Sequence, residues 1–431
     1  MSDSTAKSKR GPRHGRRRSS RPIRARSALT PALAKTYRRR HLLVLFGSIL
    51  GLFVLGVGGV FGYAYWRYGQ FPKVNIPGLD SRPAHGAFDI LIVGSDSRAF
   101  AGNSGANAQA YGSGSAIGGQ RSDVTIIARV DPATQTVHLL SIPRDTYVKI
   151  PGHIEYVSGY NRINSAFNNG PQLLVQTIQQ NFHIPISDYI DLNIEGLTNM
   201  VNAIGGVYLD FRYPVYDTDS HLGISKVGCH LVFGSQAVAL VRSRHLYYKM
   251  HGTWHYDGFS DWSRIQRQDA FFRALLPRLK GIVTSPTGMN SFLGAAEKNI
   301  TIDRSLSVGE IISLAKIFRH ISGSALVAQT LPTAGAVING QDVVIPAPAQ
   351  DSAVISAFLS IGSTNTTSYS LPSASSNGGV AMALLTAATI AAANTGVTVP
   401  TIPGVPAPSS SQVVTNTQSE PWNPVPCHVG G

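Results

Sequence analysis

The alternation of apolar and polar positions predicts a series of buried strands between residues 87 and 211. The segment AFDILIVG (87–94) is almost wholly apolar, as expected for a strand buried on both faces, and it ends at a glycine. Asp131 and Pro132 separate two further apolar runs and indicate a hairpin turn between them. The predicted strands are 87–94, 122–130, 135–142, 188–194 and 207–211.

Segments with apolar residues three and four positions apart predict helices that alternate with these strands. The clearest is SRIQRQDAFFRALLPRLKG (263–281), in which a polar first turn leads into an apolar body on one face. The predicted helices are 163–170, 171–182, 195–206, 235–244, 263–281, 308–321 and 352–360, with one more strand at 325–332. This alternation predicts a layered α/β domain over about residues 85–365.

An uncharged, largely apolar run, 42–66, precedes the predicted domain. A helix of this length spans roughly 37 Å and would cross a hydrocarbon core of about 30 Å. The arginines at 38–40 favour a cytoplasmic N-terminus, so we expect a single-pass plasma-membrane anchor with an extracytoplasmic domain. A cleaved signal peptide is the alternative, but the run is too long and no small-x-small cleavage site follows it. Glycines with G-x-x-x-G spacing leave dimerisation of the anchor open.

The net charge of +14 comes almost entirely from residues 1–40, which hold 14 of the 37 basic and one of the 23 acidic residues. The rest of the chain is close to neutral, and no helix-turn-helix pattern indicates nucleic-acid binding. We expect residues 1–41 to form a disordered basic cytoplasmic tail that contacts anionic lipid headgroups. Residues 67–84 are predicted to be a linker. Residues 366–431, rich in Ser, Thr, Pro and Ala, are predicted to be a low-complexity tail.

Two cysteines, Cys229 and Cys427, suit an oxidising location and are candidates for a disulfide that closes a long loop. Each is followed by a histidine, so a Cys2His2 metal site is the alternative, although the sequence lacks the C-x-x-C spacing of zinc sites. His251 and His255 have H-x-x-x-H spacing, but the Gly- and Tyr-rich surroundings favour a loop with two solvated histidines over a metal-binding helix.

Five clusters of charged residues stand out in a domain that has few charges. Two of them follow predicted strands, where ligands gather in open α/β sheets. Converging arginines with one or two aspartates suit a diphosphate and a divalent cation, because guanidinium groups match phosphate oxygens and Mg²⁺ takes carboxylates together with phosphate oxygens. The clusters are Asp96 with Arg98; Arg121 with Asp123; Arg144 with Asp145; Arg242 with Arg244; and Asp261 with Arg264, Arg267 and Gln268.

Spacing within the clusters predicts which side chains face the same way. Arg242 and Arg244 are two residues apart and would project to one side of an extended segment. Arg264 and Gln268 are four apart and would share a helix face. The alternative is that these residues pair with one another on a solvated surface, as Arg144 would with Asp145. The sequence contains no G-x-S-x-G, Walker A or H-E-x-x-H motif, which disfavours the corresponding chemistries.

Six segments carry a resemblance to a known family: DILIVGSDSR, RSDVTIIARVDPATQTVHLLSIPRDTYVKI, NRINSAF, YIDLNIEGLTNMVNAIGGVYLDF, ALVRSRH and DWSRIQRQ. In this order, over about residues 85–320, they resemble the LytR-CpsA-Psr family of cell-wall enzymes. The resemblance implies a three-layer α/β/α sandwich around a mixed central sheet, with an apolar pocket for a polyprenyl chain. It also implies transfer of an anionic glycopolymer from a polyprenyl-diphosphate carrier to peptidoglycan, with Mg²⁺ or Mn²⁺ as cofactor.

The same resemblance implies roles for individual residues. Asp96 and Asp123 match the family's metal ligands. With the charge clusters, the resemblance predicts Arg144, Asp123 and Arg264 as catalytic residues. The predicted diphosphate-binding residues are Arg121, Arg144, Arg242, Arg244, Arg264, Arg267, Gln268 and Asn164. Two segments depart from the family pattern: the one between Asp96 and Asp123 is longer than usual, and LYYKMHGTWHYDGFS (246–260) resembles an insertion.

The residues and the resemblance together lead to a hypothesis of phosphotransfer outside the cell. A peptidoglycan hydroxyl attacks the phosphorus that bears the glycan, and polyprenyl phosphate leaves. Asp123 and Asp145 are candidates for the general base. Two alternatives remain: a polyprenyl-diphosphate hydrolase that uses water as the acceptor, and a membrane-anchored cell-envelope regulator without enzymatic activity.

Overall fold

Strands and helices alternate along the chain in the computed structural model of this protein. The structure describes residues 62–83, 85–95, 122–153, 156–259, 261–283, 285–321, 326–362, 397–414 and 420–427. The strands are β1 (Lys73–Val74), β2 (Phe88–Ser95), β3 (Ser122–Asp131), β4 (Thr136–Ser141), β5 (Tyr147–Lys149), β6 (Tyr160–Arg162), β7 (Asp188–Asn193), β8 (Val207–Phe211), β9 (Val215–Asp217), β10 (Leu222–Ile224), β11 (Gly228–Val232), β12 (Tyr247–Met250), β13 (Thr253–Tyr256), β14 (Ile300–Asp303), β15 (Leu326–Thr330), β16 (Thr333–Ile338), β17 (Gln341–Pro346) and β18 (Val425–Pro426).

From Ala64 onward, the described residues form nine helical segments. They are α1 (64–70), α2 (Ile163–Phe167), α3 (Pro171–Phe182), α4 (Ile194–Ala203), α5 (Gly234–Arg242), α6 (Asp261–Val283), α7 (Pro286–Asn299), α8 (Val308–His320) and α9 (Pro348–Ser360). A 3₁₀ turn covers Val157–Gly159. Among these, α7 has no counterpart in the sequence predictions.

The central sheet has seven strands in the order β1-β14-β7-β2-β3-β4-β15. Strands β2, β3 and β4 form an antiparallel meander, whereas β7 runs parallel to β2 and β15 runs parallel to β4. The turn predicted at Asp131 joins β3 to β4. Because β3 runs opposite to its two neighbours, its first residues lie beside the last residues of β2 and β4. At this edge, Asp123 lies near the start of β3 and Arg144 follows the end of β4.

Helices cover both faces of the sheet because consecutive strand residues point to opposite sides. On one face, Leu91 of β2 packs in a core with Leu174 of α3. On the other, Ile90 packs in a separate core with Leu276 of α6 and Leu314 of α8. The predicted mixed α/β fold with a central mixed sheet is therefore confirmed.

A third core lies beside the sheet and is built mainly from α4, α5 and α6. Strand β8 pairs with β11 on one side and β18 on the other. A four-stranded sheet, β10-β9-β12-β13, packs on the same core. These short strands, apart from β8, were not predicted, because runs of three to five residues give no clear period.

Ordered segments extend beyond the predicted domain boundaries at both ends. Residues assigned to a linker include β1, which pairs with β14, and Ile76, which is buried in a core of the main sheet. Residues assigned to a low-complexity tail include Val399 of that same core and β18, which pairs with β8. Composition predicted a linker and a low-complexity tail, but parts of both segments pair as strands and are buried against the domain.

Residues 42–61 of the predicted anchor lie outside the described residues, and only its last five positions, 62–66, are described. The predicted basic tail, 1–41, lies wholly outside them. In the portion of the chain that the structure describes, no helix has the length and apolar character needed to span a bilayer.

Cys229 and Cys427 form a disulfide, with 6.0 Å between their Cα atoms and a sequence separation of 198. The alternative Cys2His2 site is therefore wrong, since both thiols are consumed. The predicted loop around His251 and His255 is a β-hairpin: His251 occupies its turn and His255 lies in β13.

Candidate active site at the edge of the central sheet

A pocket of about 250 Å³ opens where β2 and β4 end and β3 begins. One part of its wall is charged and the other is apolar. The charged part contains Asp123, Arg144, Arg242, Arg244, Arg264 and Gln268. The apolar part includes Ile92, Val124, Leu192, Leu197, Phe271 and Phe272. The volume is below the roughly 300–1,000 Å³ of typical ligand pockets.

Arg144 reaches the pocket because β4 ends at a proline turn. The carbonyl of Pro143 accepts hydrogen bonds from the backbone N–H and the hydroxyl of Thr146, which fixes the turn. The backbone N–H of Asn164 donates to the Arg144 carbonyl over 3.2 Å. Asn164 itself is buried and is not part of the pocket wall, so the structure places it behind Arg144 and not at a diphosphate.

Arg144 and Asp123 form the central ion pair of the site. The Arg144 Nη1 lies 2.5 Å from the Asp123 Oδ1, and its Nε lies 3.3 Å from Asp145. The predicted alternative, pairing of Arg144 with Asp145, therefore also occurs, but it does not remove Arg144 from the pocket.

The electrostatic surroundings of Asp123 keep its carboxylate ionised. Burial alone would raise the pKa of Asp123, but the positive charges of Arg144, Arg264 and Arg244 outweigh this effect and lower it. Three guanidinium groups from three separate segments thus act on one carboxylate. This is the convergence that the sequence predicted from charge and spacing.

Arg242 and Arg244 line the pocket together because the chain leaves its helix between them. Arg242 is the last residue of α5, and Ser243, with φ −59° and ψ 123°, already lies outside the helix; the predicted short helix is present, but Arg242 belongs to it and not to an extended segment. Helix α5 packs closely on α4: a Cβ on Gly234 would lie only 2.2 Å from the Thr198 carbonyl oxygen. This close approach, possible only for glycine, sets the position of the helix that delivers Arg242.

Asp217 fixes the segment that carries Arg244. Its carboxylate accepts hydrogen bonds from the Ser243 hydroxyl over 2.7 Å and from the His245 backbone N–H over 2.9 Å. It also accepts from the backbone N–H groups of Asp219 and Ser220. Burial would raise the pKa of Asp217, but the hydrogen bonds outweigh it and lower the pKa.

Helix α6 contributes Arg264 and Gln268 to the pocket wall, as their four-residue spacing predicted. Arg264 is 4% exposed and lines the cavity next to Gln268. The Gln268 Nε2 donates to the Val241 carbonyl over 2.9 Å, which ties α6 to the end of α5.

The structure does not bring Arg267, a predicted diphosphate-binding residue, to the pocket wall. Arg267 is fully buried outside the pocket wall, and its guanidinium lies 3.0 Å from the Asp257 carboxylate. It also donates to the Ser243 carbonyl and to the Asn423 side chain. Its contacts with Asp257, Ser243 and Asn423 hold the Arg267 guanidinium away from the pocket wall, so Arg267 supports the site from behind.

Three predicted site residues, Asp96, Arg98 and Arg121, lie outside the described residues. Asp123 is described and offers an ionised carboxylate at the pocket, which fits a hard cation that also takes phosphate oxygens. Within the described ranges, no group of three or more His, Cys, Asp and Glu side chains is placed to hold a metal.

Sequence reasoning missed one side of the pocket, formed by Asp217, Asp219, Ser220 and His245. The segment DTDS at 217–220 is a turn signal, since aspartate side chains accept hydrogen bonds from nearby backbone N–H groups. The turn itself was therefore predictable. Its place beside Arg244 follows from the pairing of β9 with β12, which the sequence did not indicate.

Comparison with known proteins identifies the family of this site. The LytR_cpsA_psr family model matches residues 68–356. The probable cell wall biosynthesis protein LcpB of Corynebacterium glutamicum is 30% identical over 313 residues, 70% of each chain. The polyisoprenyl-teichoic acid–peptidoglycan teichoic acid transferase TagU of Enterococcus faecalis is 26% identical over 291 residues, 65% of this chain and 84% of that protein.

A solved structure supports the same fold. The LytR-Csp2A-Psr enzyme from Actinomyces oris superposes with a TM-score of 0.53 and 21% identity, covering 67% of this chain and 95% of that one. The resemblance read from the six motif segments is confirmed, and the matched region contains every described residue of the pocket. The chain belongs to the LytR_cpsA_psr family.

Proposed function

We propose that this protein transfers an anionic glycopolymer from a polyprenyl-diphosphate carrier to peptidoglycan during cell-wall assembly. One observation carries the proposal: arginines from three segments converge with Asp123 at the charged part of a pocket whose remaining wall is apolar. A lipid diphosphate matches this pocket, since it joins a charged diphosphate group to an apolar chain. The name of the TagU relative, a polyisoprenyl-teichoic acid–peptidoglycan teichoic acid transferase, supports this substrate class.

The charged wall binds the diphosphate and the apolar wall binds the first part of the lipid. Guanidinium groups of Arg144, Arg242, Arg244 and Arg264 donate to phosphate oxygens, each such charge-assisted bond contributing roughly 1.5–3 kcal/mol. Phe271 and Phe272 on α6 provide aromatic surface for the isoprenoid chain. Asp217, Gln268 and Arg267 hold the arginine-bearing segments in place before the substrate arrives.

The reaction is a phosphoryl transfer between two oxygens. The acceptor hydroxyl oxygen forms a bond to the phosphorus that bears the glycan, the bond from that phosphorus to the bridging oxygen breaks, and polyprenyl phosphate leaves. The hydroxyl proton passes to a base, for which Asp123 and Asp145 are the candidates. Fixed guanidinium groups stabilise the charge that builds up on the phosphate oxygens, and preorganised donors of this kind contribute most of the catalysis in such reactions.

The proposal includes a divalent cation, Mg²⁺ or Mn²⁺, held by Asp123 together with Asp96. When bound, this ion would neutralise charge on the diphosphate oxygens. It also includes a plasma-membrane location through the apolar segment 42–66, with the pocket outside the cell, where both carrier lipid and peptidoglycan are accessible.

The test replaces Arg144 by alanine in the full chain and supplies a lipid-linked glycan together with peptidoglycan oligomers. Arg144→Ala should lower the rate of glycan attachment by about 10²–10³-fold, because a preorganised charge is lost. Arg162→Ala is the matched control, since Arg162 also lies near Asp145, at 3.7 Å, but does not line the pocket.

Product analysis in the same experiment separates the alternatives. Glycan covalently joined to peptidoglycan supports transfer. Release of the glycan only as a free phosphate ester would instead establish a hydrolase. Unchanged attachment by the Arg144→Ala protein would contradict the assigned site.

A further inference from the structure

One face of the four-stranded sheet β10-β9-β12-β13 is aromatic. Tyr216 of β9, Tyr247 of β12 and Tyr256 of β13 lie directly opposite one another in neighbouring strands. Trp254 projects to the same side, since it is two residues from Tyr256 on the same strand. We refer to these four residues, Tyr216, Tyr247, Trp254 and Tyr256, as the aromatic face.

The rings of the aromatic face support each other and leave two of their number accessible. Tyr216 and Tyr247 stack with ring centroids 5.0 Å apart, and Trp254 meets Tyr216 edge to face at 4.6 Å. Trp254 is 42% exposed and Tyr256 is 47% exposed. The inner tyrosines therefore hold the outer rings in fixed orientations at the surface.

The other face of this sheet is already used for packing. Tyr248, next to Tyr247 in β12, stacks on Trp422 with centroids 4.5 Å apart and nearly parallel planes. Tyr248 belongs to the third core. Burial thus accounts for the aromatic residues on that side but not for those of the aromatic face.

The aromatic face begins at the mouth of the pocket. His245 lines the pocket beside Arg244, and its ring is nearly parallel to that of Tyr256 at a centroid distance of 6.4 Å. The His245 Nδ1 lies 2.7 Å from the carboxylate of Asp219, which also lines the pocket. A molecule that leaves the arginine cluster past His245 therefore arrives on Tyr256 and Trp254.

We propose that the aromatic face is a subsite for the sugar rings of the donor glycan. The apolar C–H face of a pyranose packs on the negatively polarised face of an aromatic ring, and rigid Trp and Tyr side chains provide such contacts with little loss of conformational freedom. Asp219 and His245 supply hydrogen-bond partners for hydroxyl groups between the rings and the arginines. This inference deepens the proposed function and rests on it.

The donor glycan fits this position better than the other two occupants of similar chemistry. Its first sugar is covalently joined to the diphosphate, so it must lie at the pocket mouth whatever the polymer, whereas the acceptor only approaches the phosphorus with one hydroxyl. A membrane surface is disfavoured because the aromatic face adjoins the arginine pocket through His245, where a sugar joined to a bound diphosphate must lie.

The test measures binding to two probes by the full-length protein in detergent: a short-chain polyprenyl diphosphate, and the same lipid bearing a hexose disaccharide. The wild-type protein should bind the sugar-bearing probe more tightly. Trp254→Ala with Tyr256→Ala should weaken binding of that probe by about tenfold, because each aromatic contact is of modest strength. Binding of the bare lipid should not change.

Phe233→Ala is the control, since Phe233 is 51% exposed and lies on neither the pocket nor the aromatic face. Trp254→Phe should retain most of the sugar-dependent affinity. Circular dichroism and thermal unfolding of the double variant distinguish lost contacts from lost structure.

Each outcome decides between the proposals. If the double variant binds the sugar-bearing probe as wild type does, the sugar subsite is refuted while the arginine site stands. If it loses both probes equally, the two rings do not act on the sugar and the sugar subsite is refuted as well. If the variant keeps donor affinity but needs more peptidoglycan for half-maximal transfer, the face binds the acceptor and the inference is overturned. If the wild-type protein binds neither probe, the proposed function fails and the subsite with it.

Discussion

Asp217 illustrates how much of the site depends on single polar residues that position their neighbours. Its carboxylate accepts four hydrogen bonds, two of them from the residues on either side of Arg244. A carboxylate saturated by backbone and hydroxyl donors stays ionised and fixed in place. The chain segment with Arg244 is thereby positioned before any ligand binds, which lowers the ordering cost of binding.

Asp351 leads to a prediction about pH. It is fully buried in the first turn of α9, its carboxylate accepts one hydrogen bond from Ala347, and burial raises its pKa well above 3.8. The native state then retains a proton that the unfolded state releases, so the contribution of Asp351 to the free energy of unfolding falls as pH rises above 3.8. Each pKa unit corresponds to about 1.4 kcal/mol.

We therefore expect Asp351→Asn to gain stability relative to wild type as the pH increases from 4 toward neutral. Urea unfolding at several pH values checks this. Asp342→Asn serves as the control because Asp342 is exposed in β17. Parallel stability curves for wild type and Asp351→Asn would contradict the prediction.

At the residue scale, the sequence predicted which arginines reach the pocket better than it predicted the partners of individual side chains. Arg144, Arg242, Arg244 and Arg264 were predicted from charge and spacing, and all four reach the pocket. Arg267 has the same charge but is turned to the core, where the unpredicted acceptor Asn423 lies 156 residues away. Local patterns cannot identify partners that only tertiary folding brings together.

At the scale of elements, Arg267 joins three segments that are distant in sequence. It contacts Asp257 just after β13, the Ser243 carbonyl just after α5, and Asn423 just before β18. The ion pair with Asp257 is fully buried. Arg267 thus holds together the end of β13, the segment that carries Arg244 and the segment that precedes β18.

We predict that Arg267→Met lowers the free energy of unfolding by roughly 3–5 kcal/mol, because it leaves the Asp257 carboxylate buried without its counter-charge. Combining it with Asp257→Asn should recover part of this loss, as expected for a coupled pair. Chemical denaturation of the two single variants and the double variant measures the coupling. Strictly additive effects would show that the two side chains do not depend on each other.

The predictability of elements followed their length. The long strands of the meander and the amphipathic helix α6 were predicted close to their observed bounds, because eight or more residues show a clear period. Strands β9 to β13 have three to five residues each. Strand β11 pairs with β8, whereas β9, β10, β12 and β13 pair with one another, and the aromatic face is a product of that second pairing.

At the scale of the whole molecule, the disulfide connects β11 to the segment after β18 across 198 residues. Replacing both cysteines by serine should lower the free energy of unfolding by roughly 2–5 kcal/mol, since the unfolded chain regains the freedom that the crosslink removes. Guanidinium unfolding with and without reductant is the measurement.

Reductant should destabilise the wild-type protein and leave the double serine variant unchanged. A variant as stable as the oxidised wild type would contradict the prediction. So would equal sensitivity of both proteins to reductant.

The pairing of β8 with β18 joins two segments that are synthesised far apart in time. Tyr208 and Leu209 leave the ribosome about two hundred residues before Pro426 and Cys427, an interval of roughly 10–40 s at 5–20 residues per second. Until then Arg267 cannot donate to Asn423, and Tyr248 of β12 cannot stack on Trp422. The nascent chain therefore passes through a stage of many seconds in which the surface that later receives β18 and Trp422 is uncovered.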